Sequence, residues 1–147
     1  MDKRFKYWLS WIGVLPISLI AGVLVDFPVH WVLYRTLSGG DSPFITPYPE
    51  LPERILAPFF RALVIVCVSA LITHEHKFKT AVILATLWIF GAGASFVLGY
   101  LGFHRDSIQL NLTAGGLPVI MGVVGAVTGL YIVKKYIRKQ LSKTDQQ

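Results

Sequence analysis

The sequence predicts an all-α membrane protein: four transmembrane helices in two hairpins, both termini cytoplasmic, with a proline-rich external loop between the first two spans. Three observations carry this. First, the chain of 147 residues holds four apolar stretches, roughly Tyr7–Val25, Leu56–Ile72, Thr80–Phe103 and Leu112–Val133, each near the length a helix needs to cross a hydrocarbon core. Second, charged residues make up only 15% of the chain and hydrophobic ones 54%, whereas a soluble domain carries about 25% charged residues. Third, the spans sort the lysines. Lys3, Lys6, Lys77, Lys79, Lys134, Lys135, Lys139 and Lys143 all fall in the first, third and fifth segments, and the second and fourth hold only arginines, Arg35, Arg54, Arg61 and Arg105. Basic residues are held back on the cytoplasmic side during insertion, which puts both termini there. The expectation is one membrane domain over residues 1–147, multi-pass in the plasma (inner) membrane, with no room for a separate soluble domain.

Span one opens with Tyr7, Trp8 and Trp11, aromatics suited to headgroup depth. Its preceding Lys3-Arg4-Phe5-Lys6 could begin a signal peptide, but the apolar run is long and no cleavage site follows, so a retained signal-anchor is expected. Pro16 lies inside the span and kinks it, because proline removes a backbone donor and crowds the preceding turn. After Asp26 the pattern stays amphipathic to about Leu37, with Trp31 and Tyr34 at headgroup level; whether Pro28 ends this helix or bends it stays open. The external loop, residues 38–55, carries Pro43, Pro47, Pro49 and Pro52, a density that excludes regular helix or central strand. Phe44, Ile45, Tyr48 and Leu51 make it apolar enough to pack across the outer mouth of the bundle. Pro52-Glu53-Arg54 reads as a helix start, with proline and acid in the first turn. Span two follows, then the short loop His74–Lys79, span three, a second external loop around His104–Gln109, and span four. The basic tail, residues 134–147, begins Lys134-Lys135-Tyr136-Ile137-Arg138-Lys139; it reads as a snorkelling helix end and a place for anionic lipid.

That tail also accounts for much of the net charge of +6, so nucleic acid is not an expected partner. The single cysteine, Cys67, sits in mid-span; it excludes an internal disulfide and behaves as a small hydrophobe.

Two patterns are candidates for function. The first is packing. Gly122, Gly125 and Gly129 form a smooth stripe on span four, the last two as a GxxxG pair, and Gly91, Ser95 and Gly99 repeat at spacing four on span three. Small residues let helix backbones approach closely in lipid. A close hairpin of spans three and four is the economical reading; a contact with another copy or another membrane protein is the other. The second is polar. Asp26 and His30 are four apart and share a helix face, and Arg61 lies one turn into span two at similar depth. An unpaired ion in a membrane costs several kcal/mol, so Asp26–Arg61 is the expected interhelical pair. It is either a structural lock or, with His30, Arg35 and His104, a site for a proton or an anionic headgroup, since a guanidinium fork suits phosphate.

His74 and His76 are the metal candidates around Glu75, but spacing of two suits a strand and no third ligand is near. No cofactor is expected: phosphate-binding glycine loop, nucleophile elbow and HExxH are absent from the sequence, and no histidine lies mid-span for haem. The sequon Asn111-Leu112-Thr113 abuts span four and is explained by helix capping.

Leu24-Val25-Asp26-Phe27 after span one and His76-Lys77-Phe78 after span two, with the size, the four spans and the cytoplasmic termini, resemble the GtrA-like family of small membrane proteins associated with moving polyprenyl-linked sugars. The resemblance covers two short patches, the proline-rich loop departs from it, and it carries no functional residue over. The expected function is therefore a non-enzymatic accessory or structural subunit of a membrane complex, packing through glycine-rich faces as a homo-oligomer or on a protein partner. The alternative is a small transporter or a handler of lipid-linked substrate using the Asp26, His30 and Arg61 end.

Overall fold

The computed structural model describes residues 3–37, 50–73, 76–103 and 112–144. The proline-rich loop up to Pro49, His74, Glu75, the His104–Asn111 connection and the last three residues lie outside that description. The described chain is all helix: α1 (Lys3–Leu24), α2 (Asp26–Leu37), α3 (Glu50–Ile72), α4 (Lys77–Phe103) and α5 (Leu112–Thr144). Four apolar stretches, Ile12–Thr36, Leu51–Ile72, Lys77–Leu98 and Gly116–Gln140, are long and apolar enough to cross a membrane.

The first of those stretches runs through both α1 and α2, which meet at Val25 alone. The Val25 amide donates to Ala21 and the Val29 amide to Val25, so the helical ladder resumes at once. Pro28 has no N–H to return to Leu24. It makes a joint in one long rod rather than an end. In α3, Pro52 falls in the first turn, as the helix-start reading requires, while Pro16, Pro58 and Pro118 lie inside α1, α3 and α5. Helix α5 runs without interruption through the basic segment. At 33 residues it is about 50 Å long at 1.5 Å per residue, against a hydrocarbon core of about 30 Å.

The core is apolar, yet many large apolar side chains also face outward while four small hydroxyl residues are buried. Phe90 is 77% exposed and Ile12 69%, whereas Ser18, Ser69, Thr73 and Thr80 are at most 4% exposed. The outward apolar surface suits a solvent of lipid chains, where large apolar groups lose nothing by facing outward. Three of the four buried hydroxyls satisfy themselves on their own helix: Ser69 donates to the Val66 carbonyl, Thr73 to Ser69 and Thr80 to His76. The core is built from small residues. Ala62, Val66 and Ala70 of α3 meet Ala81 and Ala85 of α4 and Ala126 and Val133 of α5. A second cluster joins Val14, Ile65 and Leu84.

Helix α3 is the hub, packed on every other helix. Gly125 of α5 lies against Phe59 and Gly129 against Leu63 and Val66; residue numbers rise together, so α3 and α5 run parallel. Gly22 of α1 lies against Ile65 and Arg61, and α1 runs antiparallel to α3. The glycine face of α5 thus lies chiefly on α3, although Gly122 also nears Trp88 of α4. Spans three and four do pack on each other, but Gly125 and Gly129 of α5 face α3 and not α4. On α4 the buried small residues are Ala81 and Ala85, whereas Gly91 has nothing within 4 Å of where a Cβ would sit and Ser95 is exposed. Gly99 continues α4.

Candidate functional site

The charged residues of α2 and α3 form a cluster built from the helix spacings upward. On α1, Val14, Ser18 and Gly22 are spaced four apart and are all buried. The missing side chain of Gly22 leaves room for α3: a Cβ there would stand 2.7 Å from Ile65 Cγ1 and 3.3 Å from Arg61 Cγ. The aliphatic stem of Arg61 therefore passes over Gly22. One turn further along the rod, Asp26 receives its head.

The pair is a two-point fork. Arg61 Nε donates to Asp26 Oδ1 at 3.3 Å and the Nη2 group donates to Oδ2. The Arg61 side chain is 39% exposed and that of Asp26 26%, which puts the pair between an exposed ion pair and a buried one. Two parallel N–H···O bonds fix orientation as well as distance. One turn along α2, His30 Nδ1 lies 3.3 Å from Glu53 Oε1, a hydrogen bond with the proton on Nδ1 and an ion pair once the ring is protonated. The two contacts fasten α2 to α3 at two levels.

Of the residues singled out from the sequence, Asp26, His30 and Arg61 are brought together here. Arg35 is not: its guanidinium carbon lies 5.1 Å from the ring centroid of Trp31, one turn back on the same helix, a cation–π contact. His104 lies outside the described residues, as does His74. His76, just before α4, has a φ of 57°, a left-handed conformation uncommon for a non-glycine residue. Among the described residues no group of three or more His, Cys, Asp or Glu could hold a metal ion.

Sequence reasoning missed Glu53 as a partner of His30. It took Glu53 only as a first-turn acid, although Glu53 stands two turns from Arg61 on the same helix and so shares its face. It also missed the Ser18–Gly22 spacing on α1, which repeats the small-xxx-small signal it followed on the later spans.

A second feature lies at the opposite end of α3. A cavity of about 140 Å³ opens between α3, the start of α4 and α5, lined by Cys67, Ala70, Leu71, Lys77, Ile132, Val133, Tyr136 and Ile137. Lys77 supplies the cation among these residues.

No family model matches the chain, and no curated protein or solved structure matches it either. The likeness to GtrA-like proteins rests on its two short patches and carries no argument about function.

Proposed function

We infer that the chain is a non-enzymatic accessory subunit of a membrane assembly, and that it docks through the outward face of α4. The observation that carries this is the contrast between two sets of glycines. Gly22, Gly125 and Gly129 are each filled by a neighbouring helix, whereas a Cβ at Gly91 or Gly93 would meet nothing within 4 Å. A glycine inside a helix costs about 1 kcal/mol relative to alanine. At the first set close packing within the chain offsets that cost. At Gly91, one turn from the exposed Ser95 on the same face, a helix outside the chain would supply that offset. The ion pairs of α2 and α3 support the same reading, because their charges are matched with one another and hold the bundle together.

The test is Gly91→Leu in the full chain, read by native mass spectrometry and cross-linking after purification in mild detergent. The added side chain meets no obstacle within the chain, so the helical fold is expected to persist, with a melting temperature no lower than before, while the assembly dissociates. An unchanged assembly, or a chain that is monomeric before substitution, refutes the reading.

On the same reading the lysine-bearing end faces the cytoplasm of the plasma (inner) membrane, with both termini on that side. Tags at each terminus, probed from outside intact cells, are expected to remain unreachable. A second reading, a small transporter or handler of lipid-linked anionic substrate, is favoured by one observation: the Arg61 side chain remains 39% exposed although paired. It requires Asp26→Asn to abolish uptake in a protein that still folds.

A further inference from the structure

We propose that the cleft between α3 and α5 at the lysine-rich end of the bundle binds one anionic phospholipid, with a segment of acyl chain in the cavity and the phosphate on Lys77. The shape of the site comes from the α3–α4 turn. His76, in its left-handed conformation, precedes the start of α4, and Lys77 lines the same cavity as Cys67 and Leu71 of α3. Ala70 and Val133 are buried at the floor of the cleft, while Leu71, Ile132 and Tyr136 stand exposed at its rim. The mouth therefore opens sideways, toward the surrounding lipid.

The chemistry of the lining selects the occupant. The cavity surface is apolar, and at about 140 Å³ it is close to the size of apolar cavities that stay dry and take up a benzene-sized hydrocarbon. It accommodates a few methylene groups rather than water. The rim supplies the opposite chemistry. Lys77 lines the opening, and Lys79, Lys135 and Lys139 are exposed on the same helix ends. The Tyr136 hydroxyl accepts a hydrogen bond from Gln140 at 2.8 Å, which holds the ring at the edge of the cleft. The described residues 67–73, 76–80 and 112–144 contain no Asp or Glu. Lys77 meets the cavity with its aliphatic stem, and an apolar slot beside a lysine matches a lipid with a negatively charged head better than a zwitterionic one. The inference does not depend on the assembly proposed for α4, which uses a different face.

The experiment purifies the full chain in mixed micelles holding equal amounts of phosphatidylglycerol and phosphatidylcholine, and counts retained lipid by native mass spectrometry. One retained phosphatidylglycerol per chain is expected, in several-fold excess over phosphatidylcholine. Lys77→Gln should reduce that preference about five-fold, the effect of one basic residue near an anionic surface. The acyl arm uses the folded wild-type protein: its sole cysteine, Cys67, lines the cavity, and reaction with benzyl methanethiosulfonate puts a ring where the chain would lie. Retention of both lipids should then fall, with helix content and melting temperature as the check that the fold persists. Inorganic phosphate at millimolar concentration should not displace the lipid; displacement would mean an anion site without a tail and would overturn the proposal. So would equal retention of the two lipids, or a preference that survives both Lys77→Gln and the thiol label.

Discussion

Alanine placed at each glycine in turn gives the sharpest test of the packing. At Gly125 the new Cβ would lie 2.9 Å from the Phe59 carbonyl carbon and 3.0 Å from its Cα, with the carbonyl oxygen closer still. Carbon atoms pack best at about 3.5–4.0 Å, so α5 must retreat from α3 by up to about 1 Å. The obstacle is backbone, which has no rotamer to yield. Overpacking costs about 1–3 kcal/mol in general, and a backbone obstacle puts this site at the upper end. The gain in helix propensity returns about 1 kcal/mol, leaving a net loss of about 2 kcal/mol. At Gly91 there is no obstacle and the propensity gain of about 1 kcal/mol stands alone. The two variants should differ by about 3 kcal/mol, roughly a hundred-fold in the unfolding equilibrium. Gly129→Ala belongs between them, because Val66 Cβ and Cγ1 at 3.0 and 3.1 Å must give by a few tenths of an ångström. Gly122→Ala should gain nearly as much as Gly91→Ala, its nearest neighbour being Trp88 Nε1 at an ordinary 3.4 Å. Reversible unfolding in mixed micelles with increasing sodium dodecyl sulfate, followed by far-UV circular dichroism, reads the order. Gly125→Ala as stable as Gly91→Ala would refute the contact between α3 and α5.

Two further outcomes are expected. Asp26→Asn should lower stability by about 1–3 kcal/mol, between the values for exposed and buried ion pairs; adding Arg61→Leu should recover most of it, and strictly additive losses in the double-mutant cycle would show that the two side chains do not interact. Ser18→Ala should be neutral or stabilising by up to about 1 kcal/mol, because the Ser18 hydroxyl is buried without a hydrogen-bond partner and its removal relieves a desolvation cost; a loss in the same unfolding assay would reveal a partner for it.

The apolar helices were legible because the bilayer imposes a length and a hydropathy that a single sequence displays directly. The Asp26–Arg61 pair was legible for a related reason: an ion at that depth demands a counter-ion, and few are available. Partner choice was not legible. A spacing of four residues marks Gly125 and Gly129 as one face of a helix, but periodicity says nothing about which helix that face meets: it meets α3, although α5 also packs on its sequence neighbour α4. On α4 the eye goes to Gly91, Ser95 and Gly99, yet Ala81 and Ala85 make the contact, because alanine is smooth enough for close approach without looking unusual. His30 and Glu53 were separated by the proline-rich segment, so nothing local linked them. Pro28 could be placed only by the hydrogen bonds on either side of it.

The parallel seam between α3 and α5 has a consequence for biosynthesis. Gly125 follows its neighbour Phe59 by sixty-six residues, and at roughly 5–20 residues per second the ribosome needs about 3–13 s to supply it. During that interval the face of α3 that meets Gly125 and Gly129 lacks its partner, which cannot arrive until α4 has been made. A chain truncated after α4 should therefore present that face to the insertion machinery and to membrane proteases, and cells should clear it faster than they clear the complete protein.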